Sequence, residues 1–231
     1  MADNAYTKFH NSITYSKANL SEIVVSYIKN KILAGELKSG DKLIETDISE
    51  ELQISRAPVR EGFRELNMQG ILFFSPRKGS QILDMTIEDI TEIFSIRIPL
   101  EMQVLTIIFE STKLEEEDLL YLEKINDDML AQDNSMLSDT EKLYILNIND
   151  LHFHKFFWTK SGSLRRAHIL ENQFFQLVTA MNQDIASLGS TKEKYEEHRK
   201  IIESCRTGSL EQILKDFKYH MDSYLEAVSR F

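Results

Sequence analysis

The sequence predicts a mainly α protein in two parts: three short helices with a small β-hairpin, then an all-α bundle of six helices. Three observations predict it. Only 8 Gly and 3 Pro punctuate 231 residues, and the wealth of Leu, Ile, Glu and Lys favours helix over strand. Apolar residues recur at helical spacing through most of the chain. The charge divides as well: residues 1–83 carry 11 Lys/Arg and 10 Asp/Glu, net +1, whereas residues 84–231 carry 16 and 27, net −11. Two differently charged parts point to two tasks. We therefore read residues 1–19 as a flexible arm, 20–83 as one domain and 84–231 as a second.

The first helix is predicted over "LSEIVVSYIKNKIL", where Leu20, Ile23, Val24, Ile28 and Ile32 share a stripe and Gly35 follows as a stop. "LKSGDKL" is a turn, and "ETDISEEL" makes a second short helix with Ile48 and Leu52 four apart. A third begins at Ser55, a candidate cap, with Pro58 in the first turn where its missing N–H does no harm. "ILFF" and "SQIL" flank "SPRKG" as a hairpin. Three helices and a hairpin make a winged helix-turn-helix.

The third helix explains positive charge in a chain of net charge −10. Val59, Phe63 and Leu66 fall on one stripe, while Arg56, Arg60 and Arg64 advance by about 40° per step along its border. One side packs and the other is free to meet a groove. Arginine suits that role because its planar fork bonds two acceptors of guanine or grips phosphate. The competing reading is a solvated face paired with Glu61 and Glu65. The preceding turn and the "PRKG" after it favour DNA.

Beyond Leu83 the pattern is helical throughout, with helices expected near 86–110, 115–131, 139–160, 164–187, 191–206 and 209–229. Thr86, Ser138, Ser190 and Ser209 read as N-caps, the last three as capping boxes with Glu141, Glu193 and Gln212. Pro99 lies inside the first of these helices and is expected to kink it.

"NINDLHFHKFF" carries the chemistry of this half. On a helical wheel Asp150 and His154 lie about 40° apart, within the apolar arc of Leu143, Leu146, Phe153 and Phe157. An ionised carboxylate facing a core is costly unless it is paired or binds a cation. An Asp and a His four apart on one face can share a metal ion. His198 sits on the inner arc of its helix with Tyr195, Ile201, Ile202 and Cys205, and His220 shares an arc with Ile213, Phe217 and Tyr224. Any one of these histidines alone reads as a core imidazole satisfied by a carbonyl or hydroxyl. One Asp and three His, each on an apolar face, argue together for a metal site. His152 falls on the opposite face, and His10 and His168 have no evident partner; all three read as surface or structural residues.

No run of about 18 apolar residues is present to span a bilayer, and the N-terminus lacks the apolar core of a secretory signal. The single Cys205 excludes an internal disulfide. The expectation is a cytoplasmic protein with no membrane partner.

At this point the residues resemble the GntR transcriptional regulators, in the FadR-type branch with an all-helical FCD sensing domain. The resemblance rests on G-x-L-x-x-G, S-R-x-P-V-R-E and a P-R-x-G wing within residues 31–82, then on "RIPLE", "DLHFH", "EHRKII" and "YHMDSYL" in order. It implies a homodimeric repressor or activator, with repression the expectation, bound to double-stranded DNA at a palindromic operator. It also implies that Arg56 and Arg60 read base edges beside Ser55, that Arg64 holds phosphate, and that Arg77, Lys78 and Gly79 form the wing. Asp150, His154, His198 and His220 match the family's metal ligands, Zn being the usual ion and Ni, Mn or Fe compatible. A small organic acid is the implied effector, with Arg97 either holding its carboxylate or pairing with Glu101. The chain departs from the family pattern at Ser39 (usually Pro), Gly62 (usually Ala) and Thr46 (often Arg).

Effector binding at the metal site is thus expected to move the sensory helices and alter the spacing of two reading heads. Three rivals stand beside this reading: the ion itself as signal, a purely structural metal, and a metal-dependent enzyme. The last lacks a general acid or base near the metal and leaves the arginine helix without a purpose.

Overall fold

The computed structural model describes residues 19–75, 79–111, 114–131, 136–182 and 191–228. It contains helices α1 (Leu20–Leu33), α2 (Glu45–Glu51) and α3 (Arg56–Met68), with strands β1 (Lys42–Leu43), β2 (Leu72–Ser75) and β3 (Gly79–Ile82). Then come α4 (Ile87–Ser111), α5 (Glu116–Ala131), α6 (Asp139–Lys160), α7 (Leu164–Met181), α8 (Thr191–Thr207) and α9 (Leu210–Val228).

The hairpin expected from the sequence is β2–β3, paired antiparallel from Leu72↔Ile82 to Ser75↔Gly79. A third strand, β1, adds to β3 at Lys42↔Gln81 and Leu43↔Ser80. Two residues are too few for a periodic signal, and the sequence showed only a turn there. Gly35 ends α1 at φ 69°, a left-handed conformation that side chains resist. Ser39 turns the family's missing proline into a tether: its hydroxyl donates to the Leu83 carbonyl at 3.1 Å and to Asp84 Oδ1 at 2.8 Å.

The stripe of α3 packs as its spacing requires, with Val59, Phe63 and Leu66 buried against α1. Gly62 lies at the crossing, where a Cβ would stand 2.8 Å from Val24 Cβ and 3.1 Å from the Ser21 carbonyl. Close packing is the reason this helix carries glycine.

In the second part α4 packs on α7 and α9, α5 on α6 and α8, and α8 on α9. Ser138 forms the expected reciprocal capping box with Glu141. Thr86 forms one too, with Asp89. Ser209 accepts from Gln212 N, but the Gln212 side chain reaches Asp216 instead of turning back. The expected box at Ser190 lies outside the described residues, as does the end of the helix expected to run to residue 187. α4 continues through Pro99, which sits on its exposed side, so the carbonyl deprived of a partner faces solvent.

The two parts share one apolar core. α1 lies on α6 and α7, and polar contacts fix the junction. Asn147 Nδ2 donates to the Leu33 carbonyl at 2.8 Å, Asn182 Nδ2 to the Ile32 carbonyl at 2.6 Å, and Gln176 Nε2 to the Gln69 carbonyl at 2.8 Å. No helix among the described residues is long and apolar enough to cross a membrane.

Candidate metal centre and nucleic-acid interface

Three helices bring four polar side chains together inside the bundle. Asp150 and His154 come from α6, His198 from α8 and His220 from α9; all are buried, and one ligand atom from each lies within 4.8 Å of the others. His220 Nε2 is 3.3 Å from His154 Nε2, and His198 Nε2 is 3.4 Å from Asp150 Oδ1. The backs of two imidazoles face carboxylates: Glu197 Oε2 lies 2.8 Å from His220 Nδ1, and Glu101 Oε1 lies 3.6 Å from His154 Nδ1. At 2.8 Å Glu197 fixes the His220 tautomer and leaves its Nε2 free to ligate, whereas Glu101 is too far from His154 Nδ1 for a hydrogen bond. His198 is held flat against Phe153, with ring centres 3.8 Å apart.

The electrostatics suit a cation. Burial pushes the His154 and His220 imidazoles well below their ordinary value, which keeps them neutral with lone pairs available. Burial works to raise the Asp150 carboxyl, but His198, His154 and Lys194 outweigh it and hold Asp150 well below the usual carboxylate range. Tyr224 OH donates to Asp150 Oδ1 at 3.2 Å. His154 Nδ1 and both nitrogens of His198 are buried without a hydrogen-bond partner among the described residues, an arrangement that costs free energy unless something binds there. Nitrogen and oxygen ligands about 2.0–2.2 Å from one ion would stand roughly 3–4 Å apart. The donor set and its spacing fit a divalent transition metal.

Arg97 lies beside this cluster. It is buried, its Nε is 3.2 Å from Glu101 Oε1, and its Nη2 has no partner among the described residues. Trp158 Nε1 donates to the other Glu101 oxygen at 2.6 Å. Burial pushes the Glu101 carboxyl up against the opposing pull of Arg97 and Trp158. The pair with Glu101 therefore exists, and it still leaves Nη2 without a hydrogen-bond partner among the described residues, the guanidinium lying 5.5 Å from the Phe174 ring centre. Arg97, Asp150, His154, Asn147, Lys194 and Tyr224 all border one cavity of about 20 Å³, otherwise lined by apolar side chains. That is room for about one water molecule.

Lys194, Glu197 and Asn147 were not singled out from the sequence, whereas Glu101 was, as the alternative partner of Arg97. Lys194 had a signal: it stands four residues before His198, on the same arc of α8. His152 and His168 are exposed, and His10 lies outside the described residues.

At the other end, α2 and α3 form the helix-turn-helix. Ser55 occupies the N-cap position with extended backbone, but its hydroxyl makes no capping bond and is exposed. Arg56, Arg60 and Arg64 are all exposed on α3. Arg60 Nη2 pairs with Glu45 Oε2 at 3.1 Å across the turn, and Arg64 Nη1 with Glu61 Oε1 at 2.7 Å. The paired, solvated face weighed in the sequence is thus present for two of the three arginines, although the Arg60 partner is on α2 rather than α3. Exposed pairs of this kind are weak and exchange readily for phosphate. Gly79 opens β3 at φ 81°, while Arg77 and Lys78 lie outside the described residues.

Residues 20–82 match the family model described as bacterial regulatory proteins, gntR family. The chain is 29% identical to the uncharacterized HTH-type transcriptional regulator YdhC of Bacillus subtilis, over 78% of this chain and 77% of that one. It is 26% identical to the gluconate operon transcriptional repressor of the same organism, over 82% and 74%. Among solved structures, E. coli McbR/YncC superposes with a TM-score of 0.78 at 22% identity, covering 92% of this chain and 98% of that one.

Proposed function

Since the chain is a transcriptional regulator of the GntR family with a DNA-binding helix-turn-helix, we propose that it is a homodimeric repressor released or retained by a small organic acid bound at a metal centre. The observation that carries this reading is the buried set of Asp150, His154, His198 and His220, of which Asp150 and His154 border a cavity that Arg97 also lines, its Nη2 unpaired among the described residues. Those four residues would hold the ion, with zinc favoured and Ni, Mn or Fe compatible with the ligands. A bound divalent ion supplies a Lewis-acid position for a carboxylate oxygen. Arg97 Nη2 would take the same carboxylate, in a low-dielectric site where charge-assisted hydrogen bonds are strong.

Repression as the sign of regulation is supported by the printed function of the gluconate operon relative. Arg56 and Arg60 would read base edges, Arg64 and Ser55 would hold phosphate, and the Gly79 hairpin would reach the flanking backbone with Arg77 and Lys78. Two copies related by a two-fold axis would meet a palindromic operator.

Coupling between the halves has a physical route. Asn147 borders the cavity one turn before Asp150, and its amide also holds the end of α1. An acid that displaces Asn147 therefore loosens the grip on the reading head, and only a difference in affinity between the two arrangements regulates anything. Operator affinity of metal-loaded protein, measured with and without acid across a salt series, tests this; equal affinity in both conditions for every acid that binds rejects it. Thermal melting before and after chelation separates the rivals. Acid stabilisation that survives chelation excludes a metal-anchored effector, whereas metal alone changing operator affinity makes the ion the signal.

A further inference from the structure

Among the described residues, Lys194 is a buried cation without an anion. Its side chain is 5% exposed, in the first turn and a half of α8. It forms no ion pair among the described residues; its ammonium rests 4.5 Å from the centre of the Tyr224 ring. Burial lowers its pKa from the ordinary lysine value, with Asp150 and Glu197 acting in the opposite sense from a distance. An ammonium held in a protein interior is costly unless a charge or strong acceptor meets it. Cation–π contact offsets only part of that cost.

The same cavity carries Arg97, whose Nη2 is also unpartnered. The two cations come from different helices, α4 and α8, and both border the space next to Asp150 and His154. The same cavity is lined by the apolar side chains of Phe94, Phe174, Leu177, Val178 and Met221. One cation and the metal centre account for one carboxylate. A second cation bordering the same small cavity is superfluous for a monoacid.

We infer that the effector is a dicarboxylate, one carboxylate taken by Arg97 and the metal centre and the other by Lys194, with a short carbon chain against the apolar wall. This rests on the carboxylate-sensing reading above and narrows it. Carboxylate suits Lys194 better than phosphate: with Arg97 the other Lys or Arg among the lining residues and assigned to the first carboxylate, a single ammonium matches one negative charge rather than two. Lys194 then selects between acids, because an acid lacking the second carboxylate leaves the ammonium buried and unmet, and binding sites reject ligands that leave polar groups unpaired.

The experiment uses full-length, metal-loaded protein and two matched series: malonate, succinate, glutarate and adipate against propionate, butyrate, valerate and caproate. Binding is followed by calorimetry and by thermal shift, in wild type and in Lys194→Met, which keeps the side chain's length and apolar stem. The expected result is at least one diacid binding wild type ten-fold or more tighter than its monoacid counterpart, with that ratio collapsing toward one in Lys194→Met while monoacid binding is retained. Lys194→Arg, which restores a cation, should recover part of the ratio. A monoacid that binds as tightly as its diacid, or a ratio unchanged by Lys194→Met, overturns the dicarboxylate inference and leaves carboxylate sensing standing. Absence of binding by every acid in both series, with metal content verified, overturns both. If Lys194→Met fails to fold, the wild-type ratio alone decides.

Discussion

Asn147 Nδ2 lies 2.8 Å from the Leu33 carbonyl, so a residue that borders the cavity beside Asp150 and His154 also holds the last turn of α1. Its neighbour Asn182, fully buried, does the same for Ile32 and accepts from Asn147 at 3.3 Å. Asn182→Ala removes one grip without touching the cavity wall. A lost buried hydrogen bond costs about 1–3 kcal/mol, so the melting temperature should fall by several degrees. Metal content and acid affinity should hold, while the acid-dependent change in operator affinity shrinks. An undiminished response would show that the signal bypasses this junction.

Gly62→Ala adds a methyl 2.8 Å from Val24 Cβ. Alanine favours a helix interior over glycine by about 1 kcal/mol, but overpacking of this kind costs typically 1–3 kcal/mol. The net expectation is destabilisation, read as a lower urea midpoint. A raised midpoint would mean that α1 and α3 part without cost.

The metal-free protein should lose stability on mild acidification. His154 and His220 have folded-state values well below the ordinary 6.5, so as pH falls through about 6.5 the unfolded chain takes up protons that the folded chain refuses. Each such histidine contributes up to about 1.4 kcal/mol per pH unit below that point. Asp150, held low, adds nothing in this window; its share is lost only below about pH 4. Melting curves from pH 7.5 to 5.5 should slope downward in wild type and less so in His220→Gln. The Glu101 and Glu197 carboxyls, pushed up by burial, act in the opposite sense in both proteins, so parallel profiles in wild type and His220→Gln are the result that contradicts a buried neutral imidazole at 220.

On the DNA face, Arg56 and Arg64 should behave differently. Arg56→Ala is expected to cost about 1–3 kcal/mol at the operator and relax base preference at one position. Arg64→Ala should weaken all sequences alike and reduce the salt slope by about one. Binding isotherms on operator and random duplex at several salt concentrations distinguish these outcomes, and an Arg56 variant that loses specific and random binding equally would assign it to phosphate.

Burial pushes the Cys205 thiol up to about 12. Near pH 8 its thiolate is then scarcer than that of a free cysteine by a factor on the order of 10³. Reaction with a disulfide reagent should be correspondingly slow in the native protein and rapid in urea. Fast native labelling would place the thiol in water.

Much of this was legible because it is periodic. Asp150 and His154 stand four apart on an otherwise apolar arc, and the stripe of Val59, Phe63 and Leu66 leaves the three arginines outside; both are facts about one helix. What was not legible depends on contacts across helices. Asn147 and Asn182 find α1 more than a hundred residues away, β1 is two residues long, and Arg60 turned to Glu45 rather than to its own helix. Lys194 sat in plain view four residues before His198. The test applied to Asp150, a charge on an apolar arc, would have found it.

The smallness of the cavity bears on timing. Room for about one water means that no acid of several carbons enters this arrangement; the helices must part first. If opening precedes capture, the observed rate of acid binding should level off as acid is raised, at the opening rate rather than at a collision limit, and the response would be no faster than the protein's own breathing. Trp158, the sole tryptophan, sits 1% exposed with its ring 6.2 Å from that of His154. Stopped-flow emission can follow that event without a label.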